Sequence, residues 1–134
     1  MLIRWANESV TDVPQFQYLN TDLDLVSPID LAPLIGHFRY ANVSPLIPTL
    51  GDDGLWYVTF DTDETFREPD SNIAAILSAI ESSTGSSRDC WDACTKREFN
   101  VGYDCGDEPW SFNQGLSNET LRRMARCDAV PVPS

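Results

Sequence analysis

Asn20-Thr21-Asp22-Leu23-Asp24 places an amide and two carboxylates on alternate residues. At that spacing they share one face of an extended strand and could bridge a hard cation. With Leu23 and Leu25 on the opposite face, the same alternation is the outward side of an amphipathic strand, and the solvated face is the stronger reading. Asp61-Thr62-Asp63-Glu64 repeats the acidic theme without the glycine and terminal glutamate of a calcium loop. His37, the one histidine, has no neighbouring nucleophile in sequence and falls off the apolar stripe of its helix. A partly exposed surface histidine is expected, and a zinc held by two or three histidines is excluded. Cys90, Cys94, Cys105 and Cys127 are separated by three, ten and twenty-one residues, unlike the paired C-x2-C knuckles of a zinc ribbon. Cys90 and Cys94 share the apolar side of a short helix with Trp91 and Ala93, where free cysteine packs as a small hydrophobe. Core packing is expected there; the sequence names no metal and no cofactor.

The charge is more pronounced than any of these groupings. The 134 residues carry 21 acidic and 9 basic side chains, a net charge of −12. Half of it lies between positions 52 and 70, where Asp52, Asp53, Asp61, Asp63, Glu64, Glu68 and Asp70 meet only Arg67. Such a surface favours a basic partner and repels nucleic acid, which needs Lys and Arg to neutralise its phosphates. Arg122, Arg123 and Arg126 on one helix are too few to reverse that. No apolar run approaches the ~18 residues of a membrane helix, and the start lacks a signal-peptide core. A cytoplasmic protein with reduced thiols is therefore expected, and the Asn7, Asn42 and Asn118 sequons carry no glycan. With 42% apolar residues, residues 1–134 suit one folded domain.

Periodicity supplies the elements. Phe16 to Leu25 reads as a half-exposed strand. Asp30 caps a helix with Pro33 in its first turn and Leu31, Leu34, Ile35 and Phe38 buried. Leu46 to Leu50, the turn Gly51-Asp52-Asp53-Gly54 and Leu55 to Phe60 form a hairpin with Trp56, Val58 and Phe60 on one face. Asp70 or Ser71 opens a helix with Ile73, Ile76, Leu77 and Ile80 at helical spacing. Ser82 to Ser87 reads as a flexible connector, Arg88 to Cys94 as a short helix, and Glu98 to Tyr103 as a strand. Ser117 caps the last helix, with Leu116 packing on Leu121 as a hydrophobic staple, before a short edge strand at Ala129 to Val132. The sum is an α+β two-layer sandwich: a mixed, mostly antiparallel sheet with helices on one face, near the ferredoxin-like group.

Asp104 to Leu116 is a long loop for a compact domain, with Asp107 and Glu108 as charge, Trp110 and Phe112 as anchors, and Asn113 and Gln114 as polar contacts. Those aromatics equally suit folding back over the sheet. The run Arg97-Glu98-Phe99-Asn100-Val101-Gly102-Tyr103-Asp104-Cys105-Gly106, then Trp110, Asn113-Gln114-Gly115-Leu116-Ser117 and Thr120-Leu121, resembles small uncharacterised bacterial proteins. The resemblance covers about the last third of the chain. It implies a stand-alone cytosolic domain and carries over no catalytic residue. Those relatives end in a longer β-strand, whereas this chain ends Val130-Pro131-Val132-Pro133-Ser134.

Two readings of function result. The favoured one is an acidic interaction protein, of the immunity or inhibitor kind, that covers a basic protein surface. Its contact residues are Asp52, Asp53, Asp61, Asp63, Glu64, Asp107, Glu108, Trp110, Phe112 and Asn113. The alternative is a small metal-dependent carboxylate hydrolase using Asp22 and Asp24 with an acid such as Asp104; a non-catalytic subunit or homodimer is a third option.

Overall fold

The computed structural model describes residues 17–104 and 116–133. In chain order the elements are β1 (Gln17–Ser27), α1 (Ala32–Tyr40), β2 (Val43–Pro45), β3 (Thr49–Leu50), β4 (Trp56–Thr62), α2 (Pro69–Glu81), α3 (Gly85–Ala93), β5 (Lys96–Asp104), α4 (Asn118–Arg126) and β6 (Val130–Pro133). The strands form one sheet in the order β2-β4-β1-β5-β6, with β3 also paired to β4. All pairings are antiparallel except β5 with β6. The fold is α+β with a mixed, mostly antiparallel sheet. Its central strand, β1, lies between two antiparallel neighbours, whereas a ferredoxin-like βαββαβ unit places two parallel strands at the centre.

Alternation decides the faces of the sheet. Leu23 and Leu25 of β1, Val58 and Phe60 of β4, and Phe99 and Val101 of β5 are buried in one core. Ile73, Ile76, Leu77 and Ile80 of α2 and Leu34 and Phe38 of α1 meet them from above. Phe38 stands edge-on to Phe60 with ring centroids 4.8 Å apart. The α2 stripe follows the expected spacing, and each of its four large side chains contributes roughly 1.5–3 kcal/mol by leaving water. Trp91 of α3 is buried too, its indole N–H donating to the Cys127 carbonyl at 3.2 Å.

Several ends differ from expectation for local reasons. The first helix starts after Leu31, and the Asp30 carboxylate accepts from the Ala32 N–H at 2.9 Å, one position earlier than a formal cap. Pro69 opens α2. The connector after α2 shortens to Ser82–Thr84, because Thr84 and Ser87 form a reciprocal capping box that starts α3 at Gly85. The strand expected from Leu46 to Leu50 shortens to Thr49–Leu50, and a strand not expected, Val43–Pro45, pairs with β4 ahead of Ile47 and Pro48. Proline has no N–H for the ladder, so Pro45 and Pro48 break the continuous strand. Ser117 caps α4 as expected, accepting from the Thr120 N–H at 3.1 Å, while Leu121 remains exposed and Leu116 packs on the core.

Three polar ties fix α2 against the rest. Asn72 is buried, accepts from the Tyr18 hydroxyl at 2.6 Å and the Thr21 N–H at 3.0 Å, and donates to Thr62 at 3.1 Å. It therefore pins α2 to β1 and β4 at once. Tyr18 reaches Asn72 because the pairing of β1 with β5 slips between Tyr18 and Asn20, a bulge that turns Tyr18 inward and leaves Leu19 exposed. At the helix start, Asp70 accepts from the Ser117 N–H at 2.8 Å, and at the helix end Glu81 holds Arg123 through two contacts at 2.8 Å. Replacing Asn72 with Ala leaves two donors on β1, the Tyr18 hydroxyl and the Thr21 N–H, without their acceptor and removes the donor to Thr62, and should cost about 2–3 kcal/mol, read as a lowered urea midpoint with an unchanged slope.

Candidate functional site

The lower face of the sheet, opposite the helices, carries the residues that β1 turns outward. Asn20, Asp22 and Asp24 are each half-buried beside β5, and Asp24 lies between β5 and β4, whose pairing with β1 begins at Leu23. Asp24 lies opposite Thr59 on β4 and Glu98 on β5, and Asp22 lies opposite Asn100. Because Leu23 pairs with Phe60, the next outward residue of β4 beside Asp22 is Asp61. Three carboxylates from two strands thus share one patch.

Their environments differ. Asp24 uses both oxygens, accepting from the Thr59 hydroxyl at 2.6 Å through Oδ1 and from the Asn100 amide through Oδ2. Asp22 accepts from the Asn20 amide at 2.8 Å through Oδ1, and its Oδ2 has no protein hydrogen bond among the described residues. Partial burial, then the negative charges of Asp61 and Asp24, push the Asp22 carboxyl up to about 6. The four ion pairs among the described residues, Arg88 with Asp92, Lys96 with Glu98, Arg122 with Glu119 and Arg123 with Glu81, leave all three carboxylates without a cation.

The acidic run of residues 52–70 does not form one surface. Strand β4 separates its members by about 20 Å, with Asp52 and Asp53 at the Gly51–Gly54 turn and Asp61, Asp63 and Glu64 at the far end. Asp53 is occupied in building its turn, accepting from the Leu55 N–H at 2.9 Å and from the Tyr57 hydroxyl. Those hydrogen bonds, that of Tyr57 foremost, hold its carboxyl below the usual range. Asp63 accepts from Ser44 at 2.7 Å and so ties the strap of β2 to β4. Asp70 is likewise structural. Burial pushes its carboxyl up, but the hydrogen bonds from Ser117 and Thr120 outweigh that and hold it low. Asp107, Glu108, Trp110, Phe112, Asn113 and Cys105 lie outside the described residues.

The remaining candidates occupy structural positions. His37 is partly exposed and bridges α1 to the end of α2, with Nε2 at 2.9 Å from the Ala79 carbonyl and 3.0 Å from the Ser82 hydroxyl. Cys90, Cys94 and Cys127 are buried free thiols. Cys94 donates to the Cys90 carbonyl at 3.3 Å, and burial pushes its thiol up to about 11. Among the described residues no three acidic, histidine or cysteine side chains are grouped to hold a metal ion. Arg123 of the basic cluster is committed to Glu81.

Sequence reasoning undervalued two features. Alternation alone places Asp22 and Asp24 on a solvated face, and their union with Asp61 depends on strand register, which a single sequence does not display. Leu46 and Ile47 are exposed, Ile47 by 86%, and with Arg39, Pro45 and Pro48 line an open apolar depression beside the sheet edge. The bracketing prolines were the available signal.

No protein-family model, curated protein or solved structure matches this chain.

The raised Asp22 carboxyl has a definite sign for stability. The folded state binds this proton more tightly than the unfolded chain, so the ionised carboxylate opposes folding above about pH 6 and the penalty vanishes below the ordinary carboxylate value of 3.8. Asp22→Asn should therefore stabilise the protein at pH 7. Solvent screening at a half-exposed position limits the gain to on the order of 1 kcal/mol. Thermal unfolding from pH 3.5 to 7.5 should show the difference from wild type growing between about pH 4 and 6 and constant above.

Proposed function

We propose that the protein is an acidic interaction domain whose open sheet face covers a basic surface on another protein, in the manner of an immunity or inhibitor protein. One observation carries this reading: Asp22, Asp24 and Asp61 form a patch that no ion pair among the described residues neutralises, the nearby Lys96 being held by Glu98, and exposed Leu46 and Val130 flank it at the two sheet edges. Unpaired like charges raise one another's proton affinity, and a partner's Arg or Lys would relieve that repulsion on docking. Complementary charge speeds encounter, while the flanking apolar residues bury area that holds the complex.

The carboxylate-hydrolase reading draws on the same Asp22, whose titration near 6 suits proton transfer. It is weaker, because Asp24 is saturated by Thr59 and Asn100 and no third acid joins a metal-holding group among the described residues.

The test is capture of a partner from lysate of the source organism by tagged protein, followed by association kinetics with the purified partner. Asp22→Asn/Asp61→Asn should slow association about tenfold or more at low salt, with the difference shrinking as salt rises. Asp52→Asn, at the other end of β4, should change it little. Equal rates for wild type and the double variant would overturn this assignment of the face.

A further inference from the structure

Beside the acidic patch the bulge in β1 opens a pocket of about 90 Å3 against the segment joining β4 to α2. Its walls include Leu19 and Phe66, its polar lining includes Asn20 and the buried Asn72, and Asp61 and Glu64 supply carboxylates. That volume has room for a few waters and is well below the roughly 300–1,000 Å3 of a small-molecule site. One side chain fits. Acceptors dominate the outer rim: the Asn20 amide nitrogen is spent on Asp22, leaving its carbonyl oxygen beside the Asp61 and Glu64 carboxylates, while Thr65 adds a hydroxyl. Asn72, at the buried side, offers only N–H: its oxygen is taken by Tyr18 and Thr21 and its nitrogen donates to Thr62.

We propose that this pocket receives an arginine side chain of the basic partner, the stem lying between Leu19 and Phe66 and the guanidinium meeting Asp61, Glu64 and the Asn20 carbonyl. The inference rests on the interaction reading above and names the anchor of that contact. Guanidinium is a donor-only, planar group that serves several separated oxygens at once, and its carbon stem tolerates apolar walls; a bare metal ion has no use for those walls. The chain's own Arg67, next to Phe66, is exposed and does not line the pocket. The bulge is essential to the arrangement, since it is what leaves Leu19 on this side of the sheet.

The experiment is an amide NMR titration of the full chain with a blocked Gly-Arg-Gly peptide, and with Gly-citrulline-Gly, which keeps the shape and loses the charge. Saturable shifts at Leu19, Thr62 and Phe66 with the arginine peptide, absent with citrulline, are expected. Glu64→Gln, at an exposed position that leaves the fold intact by circular dichroism, should weaken binding at least about fivefold. Asp22 should titrate at lower pH in the saturated complex, because a cation at Asp61 offsets one of its repelling neighbours. Silence at these amides, equal response to citrulline, or binding unchanged by Glu64→Gln would overturn the inference. The two readings separate cleanly: salt-sensitive partner capture with a silent pocket removes the arginine site alone, whereas a responsive pocket with no effect of Asp22→Asn/Asp61→Asn on partner association removes the interaction face alone.

Discussion

A strand hydrogen-bonded on both sides cannot move its side chains away from those of its neighbours, and β1 is such a strand. Its inward residues, Leu23 and Leu25, set the floor of the core, and that commitment fixes every outward residue by the pleat. Asp22 and Asp24 are therefore held against Asp61 whatever their charges prefer. A one-residue slip would relieve the repulsion but would turn two leucines into water, at roughly 1.5–3 kcal/mol each. Core burial wins, and the cost stays in the folded state as the raised proton affinity of Asp22, caused first by its partial burial and then by the charges of Asp61 and Asp24.

The exception to regular alternation is equally purposeful. The slip in register at Leu19 turns Tyr18 inward to Asn72 and exposes a leucine on the acidic side. Asn72 then answers to three groups on two strands, so α2 cannot slide along the sheet without breaking hydrogen bonds in the core. The charge ties at either end of α2, to Ser117 and to Arg123, extend that constraint to α4.

Most of the architecture was legible because it depends on local rules. The period-3.6 stripe of Ile73, Ile76, Leu77 and Ile80, the Ser117 cap and the glycine-bounded turn at Asp52-Asp53 each act within a few residues, and each is found in place. Hairpin strand β3 shrank and half of the Ser82–Ser87 connector became helix because proline and a threonine-serine capping box override composition. The candidate site was only half legible. Acidity along residues 52–70 suggested one surface, yet strand geometry sends Asp52 and Asp61 to opposite ends of β4, and the partners of Asp61 come from forty residues earlier in the chain. Long-range register is the quantity a sequence hides.

Both margins of the sheet carry proline: Pro45 in β2 with Pro48 just beyond it, and Pro131 and Pro133 in β6. Paired to β5, strand β6 turns the positions that lack an N–H toward solvent. Such margins are poor templates for an added strand, whether from a second copy or from another chain. Growth of the sheet sideways is thereby discouraged, and what the sheet presents on its broad side is side chains rather than backbone hydrogen-bonding groups.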